Sequence, residues 1–158
     1  MKLLAPSGPV YQAGTLSGNP VAVAAGIATL RGVSATTYDR LEELGARLET
    51  GIRKNLAQLK LAHQFQRAGS MATLFFTDRP VRYFRDAQSC DTQRFAAYFR
   101  AMLAKGIYLP PSQFEAFFIS AAHTEEEIDR TIAANLEALR APACGEQKEE
   151  GFGAPRVR

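Results

Sequence analysis

Apolar residues recur along this chain in two rhythms, and the switch between them separates helices from strands. From about Thr37 to Leu59, the residues Leu41, Leu44, Leu48, Ile52, Leu56 and Leu59 follow steps of three and four. Glu42, Glu43, Arg47, Arg53 and Lys54 fill the other faces. That spacing predicts one long amphipathic helix with a single apolar stripe. Phe65 to Thr77 breaks the rhythm: Gly69-Ser70 precedes MATLFFT, rich in β-formers, which predicts one or two strands. Helical spacing returns after a cap at Asp91 or Thr92, with Phe95, Phe99, Met102 and Leu103 expected inside and Gly106 as the expected C-terminal stop. IYLPPS and FFIS predict two short strands around the turn QFEA. Thr124 with Glu127 is a capping box, opening a last helix with Ile128, Ile132, Leu136 and Leu139 facing in.

The start of the chain follows another pattern. Residues 1–19 are rich in Pro and Gly and read as loop. Asn19 is a good N-cap and Pro20 suits a first helical position, so a helix is expected from Pro20 to about Arg31. Its Ala and Val residues occupy nearly every face, so it is expected to be covered on several sides. Residues 78–91, DRPVRYFRDAQSCD, read as a polar loop, and the chain from Pro142 as a disordered tail. From residue 34 onward the order of elements suits an α+β layer, helices on a small sheet. Residues 1–33 fit poorly into that unit. The expected organisation is therefore 1–33 from a larger domain, 34–141 as a small domain and 142–158 as tail.

Composition narrows the function classes. With 158 residues, 46% of them hydrophobic, the chain can build one compact core. A net charge of +3 is too small to argue for nucleic acid. Arg79, Arg82 and Arg85 lie close together, but Asp78 and Asp86 flank them, as in a solvated loop. The phenylalanines fall on apolar faces and read as core rather than as base-stacking platforms. Cys90 and Cys144 lack metal-ligand spacing, and His63 and His123 are far apart, so no metal is expected. Reduced thiols in a cytosolic protein are the default reading. The opening MKLLAP is stopped by Pro6 before it can act as a signal peptide, and no stretch approaches a membrane span.

The candidate chemistry lies in YQAGTLSGNP, Tyr11 to Pro20. Glycines let a backbone approach an anion closely. Thr15 and Ser17 add hydroxyl donors, and a helix N-terminus adds N–H groups and a positive dipole end. As a bare pattern this more often marks only a turn into a helix. It matches neither the nucleotide P-loop nor the dinucleotide fingerprint.

The whole stretch PVYQAGTLSGNPVAVAAGIATL resembles the glutamate-1-semialdehyde 2,1-aminomutases, of the class III pyridoxal-phosphate aminotransferase group. GSMATLFFTDRPV, DTQRFAAYFRAML and GIYLPPSQFEAFFISAAHTEEEIDRTI resemble further pieces of the same family, in the family's order. The resemblance covers about residues 1–140. Phe117 departs from it, standing where a small residue is expected after SQFEA.

The resemblance implies the C-terminal small domain of a fold-type I pyridoxal-phosphate-dependent transferase, preceded by a loop and helix of the large domain. It implies that Thr15, with Gly14 giving backbone access, binds the phosphate of pyridoxal 5'-phosphate belonging to the neighbouring subunit of a homodimer. It places Glu115 at the substrate mouth, as a polar contact or proton relay; from the residues alone, Glu115 is either a carboxylate partly desolvated by Phe114 and Phe117 or an exposed turn residue. The family reaction isomerises glutamate-1-semialdehyde to 5-aminolevulinate for tetrapyrrole biosynthesis, in bacterial cytoplasm or plastid stroma. The family's Schiff-base lysine lies upstream of the QAGT loop, so none of Lys2, Lys54, Lys60, Lys105 and Lys148 is expected to be catalytic. The chain alone is then expected to be inactive. Two alternatives remain: a class III aminotransferase of other substrate, and a non-catalytic domain that only associates with a full-length subunit.

Overall fold

The computed structural model describes residues 2–140. The expected tail at 142–158, with Cys144 and Lys148, lies outside them. The chain divides into two compact units, one up to Thr37 and one from Tyr38 onward.

In the first unit, a loop leads into α1 (Pro20–Gly32). Asn19 caps it: its side-chain oxygen accepts from the Val21 and Ala22 N–H groups, each at 3.1 Å. None of its residues is buried, and Val21 and Leu30 are 77% and 74% exposed. At the end of this unit, Ser34 and Thr37 exchange backbone-to-hydroxyl hydrogen bonds of 3.2 and 3.3 Å. That reciprocal cap starts α2 (Ala35–Gln58).

In the second unit, the predicted apolar stripe of α2 forms the core: Leu44, Leu48, Ile52 and Leu56 are all buried. β1 (Gln64–Ala68) and β2 (Met71–Phe75) form an antiparallel hairpin with Phe65 opposite Leu74. Gly69, at φ 58°, makes the turn that L side chains resist. β3 (Phe117–Phe118) adds to the far edge of β2, giving the order β1-β2-β3. Side chains alternate along strands. Phe65, Ala72 and Leu74 therefore join the main core with α2, α4 (Thr92–Ala104) and α5 (Glu125–Arg140). Phe75 points to the other face. There it meets Val81, Ala87 and Cys90 in a second, smaller core.

That second core corrects one expectation. Residues 78–91 are not only a polar loop; they contain α3 (Phe84–Gln88), held by apolar residues spaced too irregularly to show a period. A second correction concerns IYLPPS, which forms no strand: Pro110 and Pro111 cannot donate to a ladder. The third is the inner face of α4, which turns toward Tyr98, while Leu103 is 46% exposed. Tyr98 can enter the core because Asn135 donates to its hydroxyl at 2.8 Å. Asn135 in turn accepts from Asn55 at 2.9 Å, so a buried polar chain ties α2, α5 and α4. The same rotation puts Ala134, Asn135 and Ala138 of α5 inside and leaves Ile132 and Leu136 half-buried. The expected capping box of α5 is present, with Glu127 accepting from the Thr124 N–H at 2.8 Å and donating its own N–H to the Thr124 hydroxyl at 3.2 Å.

Candidate functional site

The first unit holds the candidate phosphate loop. Two consecutive turns shape it: the Ser17 N–H donates to the Gly14 carbonyl at 2.9 Å, and the Asn19 N–H to the Leu16 carbonyl at 3.0 Å. Gly18 sits at φ 76° between them. A Cβ on Gly14 would lie 2.6 Å from the Ser17 hydroxyl, which would have to rotate away. Gly14 and Thr15 are exposed. Among the described residues, the hydroxyl and N–H of Thr15 and the N–H groups of Leu16 and Gly18 have no hydrogen-bond partner. These are four donors available to an anion.

The helix end itself adds less than the sequence suggests. Pro20 has no N–H, Asn19 already occupies those of Val21 and Ala22, and the Val23 N–H donates to the Asn19 carbonyl at 2.9 Å. The anion-binding capacity therefore belongs to the Gly14–Gly18 loop, with the α1 dipole as background.

The second unit holds Glu115. It borders an apolar cavity of about 110 Å³ whose lining includes Leu74, Tyr98, Met102, Phe117 and His123. Its N–H closes a turn on the Ser112 carbonyl at 3.1 Å. The partial desolvation of this carboxylate does not occur: Glu115 is exposed, and Phe114 turns away to meet Phe84. An exposed carboxylate beside an apolar opening can take a cationic or hydroxyl group of a small molecule and can exchange protons with water.

His123 is a loop residue within a compact turn. Its Nδ1 accepts from the Ser120 N–H at 2.9 Å, so in the neutral ring the proton sits on Nε2. His63 contacts the Leu61 carbonyl at 2.7 Å. Cys90 is buried, and burial pushes its thiol above the ordinary range. Among the described residues no three His, Cys, Asp or Glu side chains converge as a metal site. Arg79, Arg82 and Arg85 are exposed, and the Asp86 carboxylate accepts from the Arg82 and Tyr83 N–H groups, which holds it below the usual range. Lys2, Lys54 and Lys60 are surface residues, and Lys105 pairs with Glu137. Sequence pattern singled out none of the buried polar residues Asn55, Gln113 and Asn135; of these, Gln113 lies in the same segment as Glu115. A lone Gln between Ser and Phe carries no signal of burial.

No protein-family model matches the chain. A glutamate-1-semialdehyde 2,1-aminomutase of Sorangium cellulosum is 60% identical over 141 residues, covering 89% of this chain and 32% of that protein. An enzyme of the same name from Thermus thermophilus is 54% identical over 141 residues, covering 88% and 33%. The chain thus spans about one third of the length of these relatives. Among solved structures, a glutamate-1-semialdehyde aminomutase from Pseudomonas aeruginosa in complex with PMP superposes with a TM-score of 0.73 at 24% identity, over 85% of this chain and 30% of that one. A transaminase with PLP bound gives 0.69 at 25%, over 85% and 31%. The fold is therefore that of a pyridoxal-phosphate aminotransferase's C-terminal part, and in sequence the chain is a homologue of the C-terminal third of the glutamate-1-semialdehyde 2,1-aminomutases.

Proposed function

We propose that this chain serves a glutamate-1-semialdehyde 2,1-aminomutase, isomerising glutamate-1-semialdehyde to 5-aminolevulinate for tetrapyrrole synthesis in a cytoplasm or plastid. The observation that carries the reading is the 60% identity over 141 residues. The organisation that goes with it is a large-domain loop and helix at 1–33, followed by the small domain at 34–141.

The free donors of the first unit fit a phosphate. Thr15 would hold the phosphate of pyridoxal 5'-phosphate through its hydroxyl and N–H, and Gly14 would give backbone access. In a homodimer that phosphate belongs to the neighbouring subunit. The cofactor, when bound, supplies the amino group that is exchanged with the substrate. Glu115 would receive the substrate at the mouth, orienting its polar end by hydrogen bonding and relaying protons to solvent. None of Lys2, Lys54, Lys60, Lys105 and Lys148 is assigned to hold the cofactor, and the 158-residue chain alone is expected to form no 5-aminolevulinate.

The test is a chimera in which residues 1–141 replace the matching third of the Sorangium cellulosum enzyme. It should form 5-aminolevulinate. Thr15→Val should weaken pyridoxal phosphate binding by roughly ten- to a hundred-fold, the worth of a hydrogen bond to a charged group. A folded chimera that binds cofactor but transfers amino groups only between other substrates would replace the aminomutase reading with a general aminotransferase. One that folds without holding cofactor would leave a non-catalytic, associating domain.

A further inference from the structure

Glu115 makes no side-chain hydrogen bond among the described residues, so its place at the cavity must be set by its backbone. The residues before it do this. The Phe114 N–H donates to the Ser112 hydroxyl at 3.2 Å, and the Glu115 N–H to the Ser112 carbonyl at 3.1 Å. Between them Gln113 is only 2% exposed. Its Nε2 donates at 2.9 Å to the carbonyl of Ala87, 26 residues away in α3. On the solvent side Phe114 packs on Phe84, also of α3, with ring centroids 5.6 Å apart. The turn carrying Glu115 is therefore fastened to α3 twice, by a buried amide and by an outer aromatic pair.

α3 is itself held to the sheet. Gln66 of β1 donates to the Val81 carbonyl, and the Asp91 N–H donates to the Phe76 carbonyl at 3.1 Å. Val81, Ala87 and Cys90 pack on Phe75. A path of direct contacts thus runs from the hairpin through α3 to Gln113 and the Glu115 turn.

The chemistry of Gln113 indicates what this contact is for. Among the described residues its Oε1 is buried with no hydrogen-bond partner. Flipping the amide would set that oxygen against the Ala87 carbonyl, so the orientation is fixed by the single bond Nε2 makes. The Ala87 carbonyl also accepts from the Cys90 N–H at 3.2 Å, so it is not orphaned without Gln113. A buried glutamine with half its polar capacity unpaired is a poor stability device, since the unpaired oxygen offsets the bond. What the amide supplies is direction.

We propose that Gln113 is a positioning residue, holding the turn 112–115 on α3 so that Glu115 stays at the cavity mouth. The assignment to function rests on the reading of Glu115 given above; the fastening does not. Because its amide is half-satisfied, Gln113→Met should leave global stability nearly unchanged while freeing the turn.

The first arm uses the 158-residue chain and backbone 15N relaxation. In Gln113→Met, order parameters at Phe114 and Glu115 should fall from about 0.85 toward 0.6 or lower, with β1 and β2 unchanged. Unchanged values at Phe114 and Glu115 overturn the proposal. If Gln113→Met unfolds the chain throughout, Phe84→Ala decides. It alters an exposed residue and should loosen the same turn locally; failure to do so also overturns the proposal. The second arm uses the chimera. Gln113→Met should lower kcat without changing pyridoxal phosphate affinity, and should cost nothing further when Glu115→Gln is already present. Additive losses would mean Gln113 does not act through Glu115, and would overturn the positioning role. If Glu115→Gln leaves kcat unchanged, the mouth reading of Glu115 fails, and the relaxation arm still decides the fastening.

Discussion

Tyr98 and Asn135 show how a single hydrogen bond decides which side of a helix is inside. Asn135 is fully buried, accepts from Asn55 and donates to the Tyr98 hydroxyl. Asn135→Ala leaves the Tyr98 hydroxyl without a partner and should cost about 1–3 kcal/mol, read as a lower urea midpoint. Burial pushes the Tyr98 phenol up to about 12, against an opposing effect of the Asn135 hydrogen bond. The neutral phenol is favoured only in the folded state, so the unfolded chain ionises first. Stability should hold below the ordinary value of 10.0 and fall as pH rises from there to about 12. Tyrosinate absorbance should show Tyr98 titrating last, together with loss of near-ultraviolet dichroism. The site residues were legible to different degrees. The Gly and Thr pattern of the phosphate loop predicts donors, and they are free. The same stretch marks Asn19 as an N-cap, and in the structure that cap occupies the Val21 and Ala22 N–H groups. Glu115 was singled out as a site residue through the family resemblance, and of its two readings from the residues alone the exposed turn residue is the one observed, with Phe114 drawn away to Phe84.

Elements meet closely where their residues are small. A Cβ on Gly51 of α2 would lie 2.5 Å from Cδ1 of Ile132 on α5. Gly51→Ala gains helix propensity but forces Ile132 aside, and a net loss of about 1–2 kcal/mol is expected. Adding Ile132→Ala should recover much of that loss in the same denaturation assay; additive losses would show that the helices are not in contact there. Charged residues join the same elements. Arg47 grips Asp129 through two bonds of 2.6 and 2.7 Å, and Arg67 of β1 binds Glu42 and Glu49 of α2. The Arg47 hydrogen bond holds the Asp129 carboxyl below its ordinary 3.8, and Arg67 holds Glu42 and Glu49 below 4.5. Their contribution is full above those ordinary values and is lost as pH falls through the lower folded ones. Thermal midpoints should decline in acid below about pH 5 and be level from there up to the alkaline range where Tyr98 begins to act. Helix existence was readable from apolar spacing, and the caps from Asn19, Asp91 and Thr124. The strand expected in IYLPPS failed because aromatic and β-branched residues pointed one way and two prolines the other. The small core around Phe75 escaped notice because Val81, Ala87 and Cys90 share no period.

The chain as a whole is uneven in how well its apolar residues are covered. The second unit closes its own core, whereas α1 displays Val21, Val23, Ile27 and Leu30 with no buried residue. That much apolar helix in water favours association. Sedimentation of the isolated chain should show concentration-dependent oligomers, and replacing Val21 and Leu30 by Gln should shift it toward monomer. No helix among the described residues is long and apolar enough to cross a membrane. The core of the second unit is also delayed in time. Asn55 of α2 waits for Ile132 and Asn135, which follow it by 77 and 80 residues. At synthesis rates of about 5–20 residues per second, that gap lasts roughly 4–16 s. Until α5 has been made and has emerged, the leucine stripe of α2 has no α5 to cover it. Slowing translation between α2 and α5 should therefore lower the yield of folded protein, and a factor that shields apolar helices should restore it.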